Sequence, residues 1–226
     1  MPLASKKRPT HRLDAKPRRP QKRALQKRTE DTQAQITAAA TDLFSSLGFE
    51  AVSIRMIEAA AGVQRGLVAY HFETKEALWA RIVDDLFAKI ERNFNRLDEV
   101  WPDLTSADRT RTIVAAFIRF SAEVPELNRL MVQEGKISSW RMDYIVDTHI
   151  KPRIGYLRDA LGVDIDAHTY YLLIGAGAFV FSVEYECKRL FGVDPRTPDF
   201  IDAHAQMVAD ILKDTQRRSE RNSSAI

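Results

Sequence analysis

Apolar positions in the first half of the chain recur with helical spacing. From residue 36 to residue 47 an apolar side chain returns every three or four positions, which places these groups on one face of an amphipathic helix. They are Ile36, Ala39, Ala40, Leu43, Phe44 and Leu47. Gly48 follows directly and supplies a C-terminal stop. The pattern predicts a first helix that ends at Gly48.

Two shorter helical patterns come next. Ser53 is placed to cap a second helix in which Ile54 and Ile57 share a face, and Gly62 is placed to end it. A third short segment covers residues 64–71, and Thr74 is placed to cap a long fourth helix. Helix, glycine turn and helix in this order predict a helix-turn-helix, in which a short turn sets two helices at a steep angle.

The rest of the chain is also helical in pattern, with no alternating strand pattern. Helices are predicted at residues 77–97, 107–124, 126–133, 140–161, 167–191 and 200–217. Pro152 lies inside one of these segments and is expected to kink or split it. The sequence therefore predicts an all-α fold, with a helix-turn-helix domain at residues 29–76, a helical domain at 77–218 and a frayed tail at 219–226.

Positive charge is concentrated at the N-terminus. Residues 1–28 contain eleven lysines and arginines, four prolines and a single acid, Asp14, whereas the remainder of the chain is net acidic. With almost no large apolar groups, this segment cannot offset the entropy of folding and is predicted to be a disordered basic arm. Such arms commonly bind polyanions, nucleic acid first and anionic lipid second, or act as solubilising tails.

Several classes of protein are disfavoured by the sequence. The longest uncharged apolar run, residues 170–183, has 14 residues, against about 20 for a membrane-spanning helix. Neither a signal peptide nor a membrane partner is expected, and the single Cys187 fits a cytoplasmic protein. No metal-ligand spacing or catalytic triad can be defended, since Ser138, Asp147 and His149 share a segment without an orienting partner. We therefore expect no enzyme, no metal and no cofactor.

The segment after the glycine turn has the properties of a helix that enters the major groove of DNA. Such a helix is anchored from behind by apolar groups and carries little negative charge. Val63, Val68 and Phe72 are placed to anchor it. On the other face, Arg65 is suited to a guanine edge and Gln64 to adenine or a phosphate. Gly66, Leu67, Ala69 and Tyr70 point away from Val68 at helical spacing, and Lys75, Tyr70 and His71 have the donors expected of phosphate contacts. Gly66 inside a helix is costly, and either close contact with DNA or close packing on the first helix would explain it.

Residues 33–79 resemble the DNA-binding signature of the tetracycline-repressor (TetR) family of bacterial transcription regulators. The resemblance lies in an entry of the form G-F-x-x-x-[ST] at residues 48–53 and an ending Y-x-F-x-x-K-E-x-L at residues 70–78. Position by position, it implies that Ser53 and Arg55 meet phosphate and base, and that Leu67 faces the groove beside Gln64, Arg65 and Gly66. It also implies backbone contacts from Tyr70, His71 and Lys75.

Two positions depart from the usual family pattern. Ala69 stands where many members carry a tyrosine that touches DNA, so Tyr70 is expected to provide more of that contact. Leu67 is less polar than usual, which suggests contact with a thymine methyl group.

The same resemblance implies a C-terminal domain that binds a small molecule and forms a homodimer. The dimer is expected to use a hydrophobic helix at residues 170–185, with Tyr170 and Tyr185 at its ends, and an amphipathic helix at residues 201–212, between Ile201 and Leu212. Candidate pocket residues are aromatic or methionine side chains, with one histidine, that could equally be plain core: Phe117, Phe120, Met131, Trp140, His149 and Phe179.

These patterns together predict a ligand-responsive, sequence-specific DNA-binding regulator. A repressor that binds a palindromic double-stranded DNA operator as a homodimer, and is released by a small molecule, is the favoured form. One alternative is an all-helical enzyme or small-molecule-binding protein whose basic arm only localises it. Another is a nonspecific nucleoid or membrane-surface protein that binds through the arm alone.

Overall fold

A computed structural model describes residues 19–95, 101–161 and 165–223, and within these ranges the fold is entirely helical. The all-α prediction is confirmed. The helices of the N-terminal part are α1 (Arg19–Leu47), α2 (Ile54–Ala61), α3 (Leu67–Phe72) and α4 (Lys75–Asn95). Those of the C-terminal part are α5 (Ser106–Glu123), α6 (Pro125–Glu134), α7 (Trp140–Ile145), α8 (Lys151–Leu161), α9 (Ala167–Ser182), α10 (Glu184–Phe191) and α11 (Pro198–Ser223).

The two chain ends differ from the sequence prediction where they are described. Helix α1 begins at Arg19, so the last ten residues of the predicted disordered arm are helical. Pro20 lies in the first turn, where a missing N–H is tolerated, and the alanine, leucine, glutamine, lysine and arginine that follow favour a helix. Likewise α11 extends to Ser223, into the predicted frayed tail. Residues 1–18 and 224–226 of these predicted segments lie outside the described residues.

The first four helices share one hydrophobic core. The apolar face predicted for α1 is buried, and Val68 of α3 is completely covered. The other large buried groups around it are Ile36, Phe44, Val52, Ile57, Leu78 and Trp79. Val63 and Phe72 pack against this core at its edge, as the sequence predicts. The anchor behind α3 is therefore made by residues from all four helices.

The capping predictions for α2 and α4 are confirmed. The Ser53 hydroxyl accepts a hydrogen bond from the Met56 N–H at 3.3 Å, and the Thr74 hydroxyl accepts one from the Ala77 N–H at 3.0 Å. Gly62 ends α2 in the left-handed conformation, with φ of 66°. These bonds satisfy N–H groups that the first turn of a helix leaves without partners.

Gly66 has a different role from the one expected within a helix. It precedes α3 as the N-cap residue with φ of 88°, so the helix begins at Leu67 and not at Gln64. No atom lies within 4 Å of the position that a Cβ would occupy. Because L-residues rarely adopt such a φ, backbone conformation and not close packing requires glycine here.

The turn between α3 and α4 is tight and strained. Glu73 has φ of 63° and ψ of −59°, and the Thr74 N–H donates to the Phe72 carbonyl across it at 2.6 Å. These values describe a γ-turn with positive φ, which is rare for residues other than glycine. Among the described residues, Glu73 alone combines a side chain with a positive φ.

Replacing Glu73 by glycine is therefore expected to raise the free energy of unfolding by about 1 kcal/mol. Glycine adopts the observed φ without steric cost, which outweighs its greater entropy in the unfolded chain. Denaturant titration measures the change. Glu73→Ala, which removes the charge but keeps the strained conformation, is the control, and an equal gain in this variant would show that charge rather than strain is responsible.

The C-terminal helices form a second core around α5. Helix α5 packs against α9 and α11, with Val114, Ile118, Phe181 and Val208 buried between them. At Gly177 a Cβ would lie 2.9 Å from the Phe117 ring, so α9 approaches α5 closely. Gly177 thus permits close helix approach within the chain, at the α5–α9 contact.

Two of the predicted helical segments are divided, the first where Pro152 was expected to split it and the second without such a prediction. The segment at residues 140–161 is α7 and α8 joined by a π-helical turn at Val146–Ile150. Pro152 follows that turn and has no N–H to donate to the preceding turn, which accounts for the predicted disruption. The segment at residues 167–191 breaks at Val183, with φ of −117° and ψ of 35°. The helix expected at residues 170–185 therefore ends at Ser182.

Candidate nucleic-acid interface and cavity

Most of the predicted DNA-contacting residues lie on one exposed surface made by α2, the glycine turn and α3. Val68 is buried beneath it, whereas Tyr70 is 78% exposed. The other exposed members of this surface are Ser53, Arg55, Gln64, Arg65, Gly66 and Ala69. Within the described part of the chain, neither Arg55 nor Arg65 forms a hydrogen bond or ion pair that would hold it against the protein. The geometry leaves both guanidinium groups available to a polyanion.

Two predicted contact residues are less accessible. Leu67 is half-buried and packs against the core of the first four helices, so the thymine-methyl contact suggested for it is not favoured. His71 is also half-buried, and its ring lies edge-on to Tyr70 with centroids 4.9 Å apart. Helix α3 has six residues, and the side that packs against the core cannot also face DNA.

Lys75 is engaged within the protein. Its ammonium group donates to the carbonyl oxygens of Phe49 and Val52, each at 3.0 Å, and lies 3.9 Å from the centre of the Phe49 ring. Two of its three N–H donors are therefore used on the loop between α1 and α2. The expectation of a phosphate clamp does not match this placement, since the side chain fastens α4 to that loop.

Glu58 is a site residue that the sequence analysis missed. Its side chain is buried in α2, and its carboxylate accepts a hydrogen bond of 2.6 Å from the N–H of Gly66. This bond joins α2 to the residue that starts α3, and so sets the angle between the two helices. The available sequence signal was an acidic residue among the apolar groups of a short helix just before a glycine turn.

We expect Glu58→Ala to lower the free energy of unfolding by about 1–2 kcal/mol, because the Gly66 N–H loses a charged acceptor. DNA binding should weaken as well, since the start of α3 is no longer held. Denaturant titration and DNA-binding assays measure the two effects. Glu58→Gln keeps an acceptor oxygen and is the matched control; equal losses in both variants would contradict a role for this hydrogen bond.

A cavity of about 720 Å³ lies between the helices of the C-terminal part. Four of the six predicted pocket residues line it: Phe117, Phe120, Met131 and Phe179. The lining is mainly aliphatic and aromatic, and its side chains come from α4, α5, α6, α7, α8, α9 and α11. A volume of this size is typical of sites for small molecules, which have apolar walls and a few polar groups.

Trp140 and His149 do not line this cavity. Trp140 packs edge-on against Phe49 and Trp79, with ring centroids 6.4 and 5.3 Å away. His149 stacks on Phe87, and its Nε2 lies 2.9 Å from the Asp84 carboxylate. Both side chains therefore fasten the α7 region to other helices, and their aromatic character reflects packing.

The Asp84 carboxylate also accepts a hydrogen bond from the Tyr144 hydroxyl at 2.8 Å. Burial, together with this bond and the negative charge of Asp84, raises the pKa of Tyr144 to about 12. Tyr144 therefore remains a neutral donor at physiological pH, and the contact between α4 and α7 does not titrate through this group.

Two ion pairs of Arg141, one of them buried, join the cavity helices to each other and to the N-terminal part. The Arg141 Nε donates to the Glu134 carboxylate at 2.8 Å, with side chains only 4% and 3% exposed. Arg141 also donates to Glu50 at 3.0 Å and lies 4.3 Å from the centre of the Phe49 ring. We call Phe49, Glu50, Glu134 and Arg141 the interdomain cluster. It holds the loop between α1 and α2 against α6 and α7.

Two features are absent from the described residues. No group of three or more histidine, cysteine, aspartate or glutamate side chains is arranged to hold a metal ion. In the same ranges, none of the helices has the length and apolar character needed to cross a bilayer.

Comparison with known sequences places the N-terminal helices among bacterial regulators. Residues 36–82 match the family described as bacterial regulatory proteins, tetR family. An HTH-type transcriptional repressor of Mycobacterium tuberculosis is 46% identical over 63 residues, 28% of this chain. The match spans 34% of that repressor, about a third of its length. The HTH-type transcriptional regulator CymR of Pseudomonas putida is 33% identical over 85 residues, 37% of this chain and 42% of that protein.

Solved structures share the fold over most of the chain. A TetR-like transcriptional regulator from Rhodococcus sp. RHA1 superposes with a TM-score of 0.60 at 16% identity, covering 82% of this chain and 96% of the other. The transcriptional regulator FadR of Bacillus subtilis, solved in complex with stearoyl-CoA, gives a TM-score of 0.56 at 16% identity, over 79% of this chain and 96% of that one. At these identities the likeness concerns the fold.

Proposed function

We propose that this chain is a transcriptional repressor of the TetR type, because residues 36–82 match the family described as bacterial regulatory proteins, tetR family, and part of the chain is similar to an HTH-type transcriptional repressor. It binds a palindromic double-stranded DNA operator as a homodimer and leaves it when a small molecule fills the cavity. The observation that carries this proposal is the surface around Arg65 and Tyr70. It is exposed and basic, and it is anchored from behind by the buried Val68.

The exposed surface made by α2, the glycine turn and α3 matches the requirements of major-groove binding. Helix α3 presents Ala69 and Tyr70 outward, while Arg65 stands in the turn that leads into the helix. A guanidinium in that position suits the two acceptors on a guanine edge, and a phenol suits a phosphate. Two such surfaces related by a two-fold axis would enter successive major grooves about 34 Å apart.

Exposed apolar side chains on α9 and α11 support the proposed homodimer. Tyr171 and Phe179 project from α9, and Met207 and Ile211 from α11, all exposed in the single chain. Four exposed apolar side chains on two neighbouring helices favour burial against a second copy of the chain. Helices α9 and α11 of the two copies would then form a four-helix bundle. The proposed interface therefore uses residues 201–212 as expected, and the part of residues 170–185 that precedes the break at Val183.

The interdomain cluster provides a physical connection between the cavity and the DNA-binding domain. Met131 on α6 and Met142 on α7 line the cavity, and the same two helices carry Glu134 and Arg141. A ligand that shifts either helix changes how the loop at Phe49 and Glu50 is held. Such a ligand releases DNA only to the extent that it binds more tightly to the arrangement of helices that does not bind DNA than to the one that does.

The decisive experiment is selection of DNA fragments by the purified protein from the genome of origin, followed by competition. We expect a duplex with inverted half-sites that is retained against a large excess of random DNA. Size-exclusion chromatography coupled to light scattering should show two chains in the complex. An enzyme or carrier with a basic localisation arm would select no sequence, and this outcome would overturn the proposal.

Removal of residues 1–18 is expected to reduce the salt dependence of operator binding. This segment contains six lysines and arginines, and each phosphate that the arm neutralises contributes about −0.9 to the slope of log K against log salt concentration. Binding measured from low to high salt gives the slope. A control that replaces the segment by a neutral glycine-serine sequence of equal length should match the deletion, whereas an unchanged slope would show that the arm does not contact DNA.

A further inference from the structure

The polar groups of the cavity indicate which class of molecule it accepts. Most of the lining is apolar, and the charged side chains among the lining residues are Lys136, Arg153 and Asp166. Asp166 is already used as the N-cap of α9, where it accepts the Thr169 N–H at 2.8 Å. Lys136 donates to Gln133 at 3.1 Å in an exposed position. Arg153 is the mostly buried cation.

Arg153 is only partly neutralised by the protein. Its guanidinium donates to the Glu91 carboxylate at 3.1 Å and to the His149 carbonyl at 3.4 Å. The Glu91 side chain is 59% exposed, against 18% for Arg153, so the anion is largely hydrated while the cation is not. Burial lowers the pKa of Arg153 in spite of the opposing effect of Glu91. A second anion at this position would therefore be stabilised.

Tyr170 provides a neutral donor in the same cavity. It lines the cavity, as Arg153 does, and is half-buried. Burial raises the pKa of Tyr170, so the phenol keeps its proton at physiological pH. A guanidinium and a phenol together can bind a carboxylate, which accepts several hydrogen bonds.

We propose that the cavity binds an amphipathic monocarboxylic acid, with the carboxylate at Arg153 and Tyr170 and the apolar body among the phenylalanine and methionine side chains. The proposal rests on the ligand-binding role given to this half of the chain. A single carboxylate fits better than a polyanion, because the acidic Asp166 also lines the cavity. An uncharged apolar molecule would leave the buried cation without a further partner.

The test compares two probes with the same chain, dodecanoate and 1-dodecanol, at concentrations below micelle formation. Displacement of Nile red from the full-length protein measures the affinity of each. A charge-assisted hydrogen bond predicts that dodecanoate binds about tenfold more tightly or better. Arg153→Gln should abolish most of this ratio and Tyr170→Phe should reduce it, whereas Arg119→Gln, at an exposed position outside the cavity, should leave it unchanged.

The outcomes separate this inference from the proposed function. Equal affinity for the two probes, or displacement by neither, would overturn the carboxylate assignment even if operator binding is normal. A dodecanoate preference that persists in both Arg153→Gln and Tyr170→Phe would also overturn it. Failure to select any operator would overturn the proposed function alone. Tyr170→Phe changes one hydroxyl group and so keeps the test independent of any folding defect caused by Arg153→Gln.

Discussion

Arg65→Ala is expected to weaken operator binding by about 1–3 kcal/mol, or roughly 5–150-fold, and to relax sequence preference at one position of each half-site. The Arg65 side chain is exposed and outside the core of the first four helices. Its loss should therefore leave the free energy of unfolding unchanged. Fluorescence anisotropy with the selected operator and with single-base variants measures both the affinity and the preference.

Arg119→Ala is the matched control, because it removes one exposed arginine from the other half of the chain. Arg119 forms a surface ion pair with Asp202 at 2.8 Å, and such pairs contribute little to stability. Its effect on operator affinity should be small and equal for all DNA sequences. If Arg65→Ala behaved in the same way, α3 and the turn before it would not read bases.

Arg141→Leu is expected to lower the free energy of unfolding by about 3–5 kcal/mol, the largest effect predicted for stability. The substitution leaves the Glu134 carboxylate buried without its cation, which is far more costly than the loss of an exposed pair. It also removes the contact of the guanidinium with the Phe49 ring. Denaturant titration of the purified variant, or its melting temperature if the variant is marginal, measures the loss.

Two further variants test whether the buried pair is the cause. The Arg141→Leu, Glu134→Leu double variant should recover most of the lost stability, because no uncompensated charge remains buried. Glu50→Gln should cost less than about 1 kcal/mol, since the Glu50 side chain is 74% exposed and is readily hydrated. A double variant as unstable as the single one would indicate that shape, and not charge, makes Arg141 important.

The interdomain cluster also bears on regulation. Glu50→Gln weakens the hold of Arg141 on the loop between α1 and α2 but leaves stability nearly intact. This variant therefore separates the contribution of the cluster to stability from its contribution to the coupling between ligand and operator. Because Arg141 and Glu134 stand on helices that line the cavity, we infer that ligand and operator affect each other's binding through them.

Local patterns predicted the helix-turn-helix in detail. The Ser53 and Thr74 caps, the Gly62 stop and the burial of Val68 each depend on residues within one or two turns of helix. Periodicity and capping carry enough information for such features. The predicted disordered arm differs from the structure at residues 19–28, which belong to α1, because the residues after Pro20 favour a helix despite the basic, proline-containing composition.

Roles of side chains that meet distant parts of the chain were not predictable in the same way. Lys75 had the charge expected of a phosphate contact, yet its ammonium binds carbonyl groups more than twenty residues away. Trp140 and His149 had the character of pocket residues but pack elsewhere, while Phe117 and Met131 line the cavity. Aromatic side chains at helical spacing do not reveal which neighbour they will meet.

The sequence by itself determined the all-helical fold, the position of the glycine turn and the face of α3 that is buried, because hydrogen bonds and apolar contacts one turn apart set these features. Only the tertiary structure decided that Glu58 holds Gly66, that Arg141 joins Glu134 and Glu50, and that Arg153 lines the cavity. Arg141 and Glu50 are 91 residues apart in the chain. Such a contact arises when packed helices meet, and no local pattern records it.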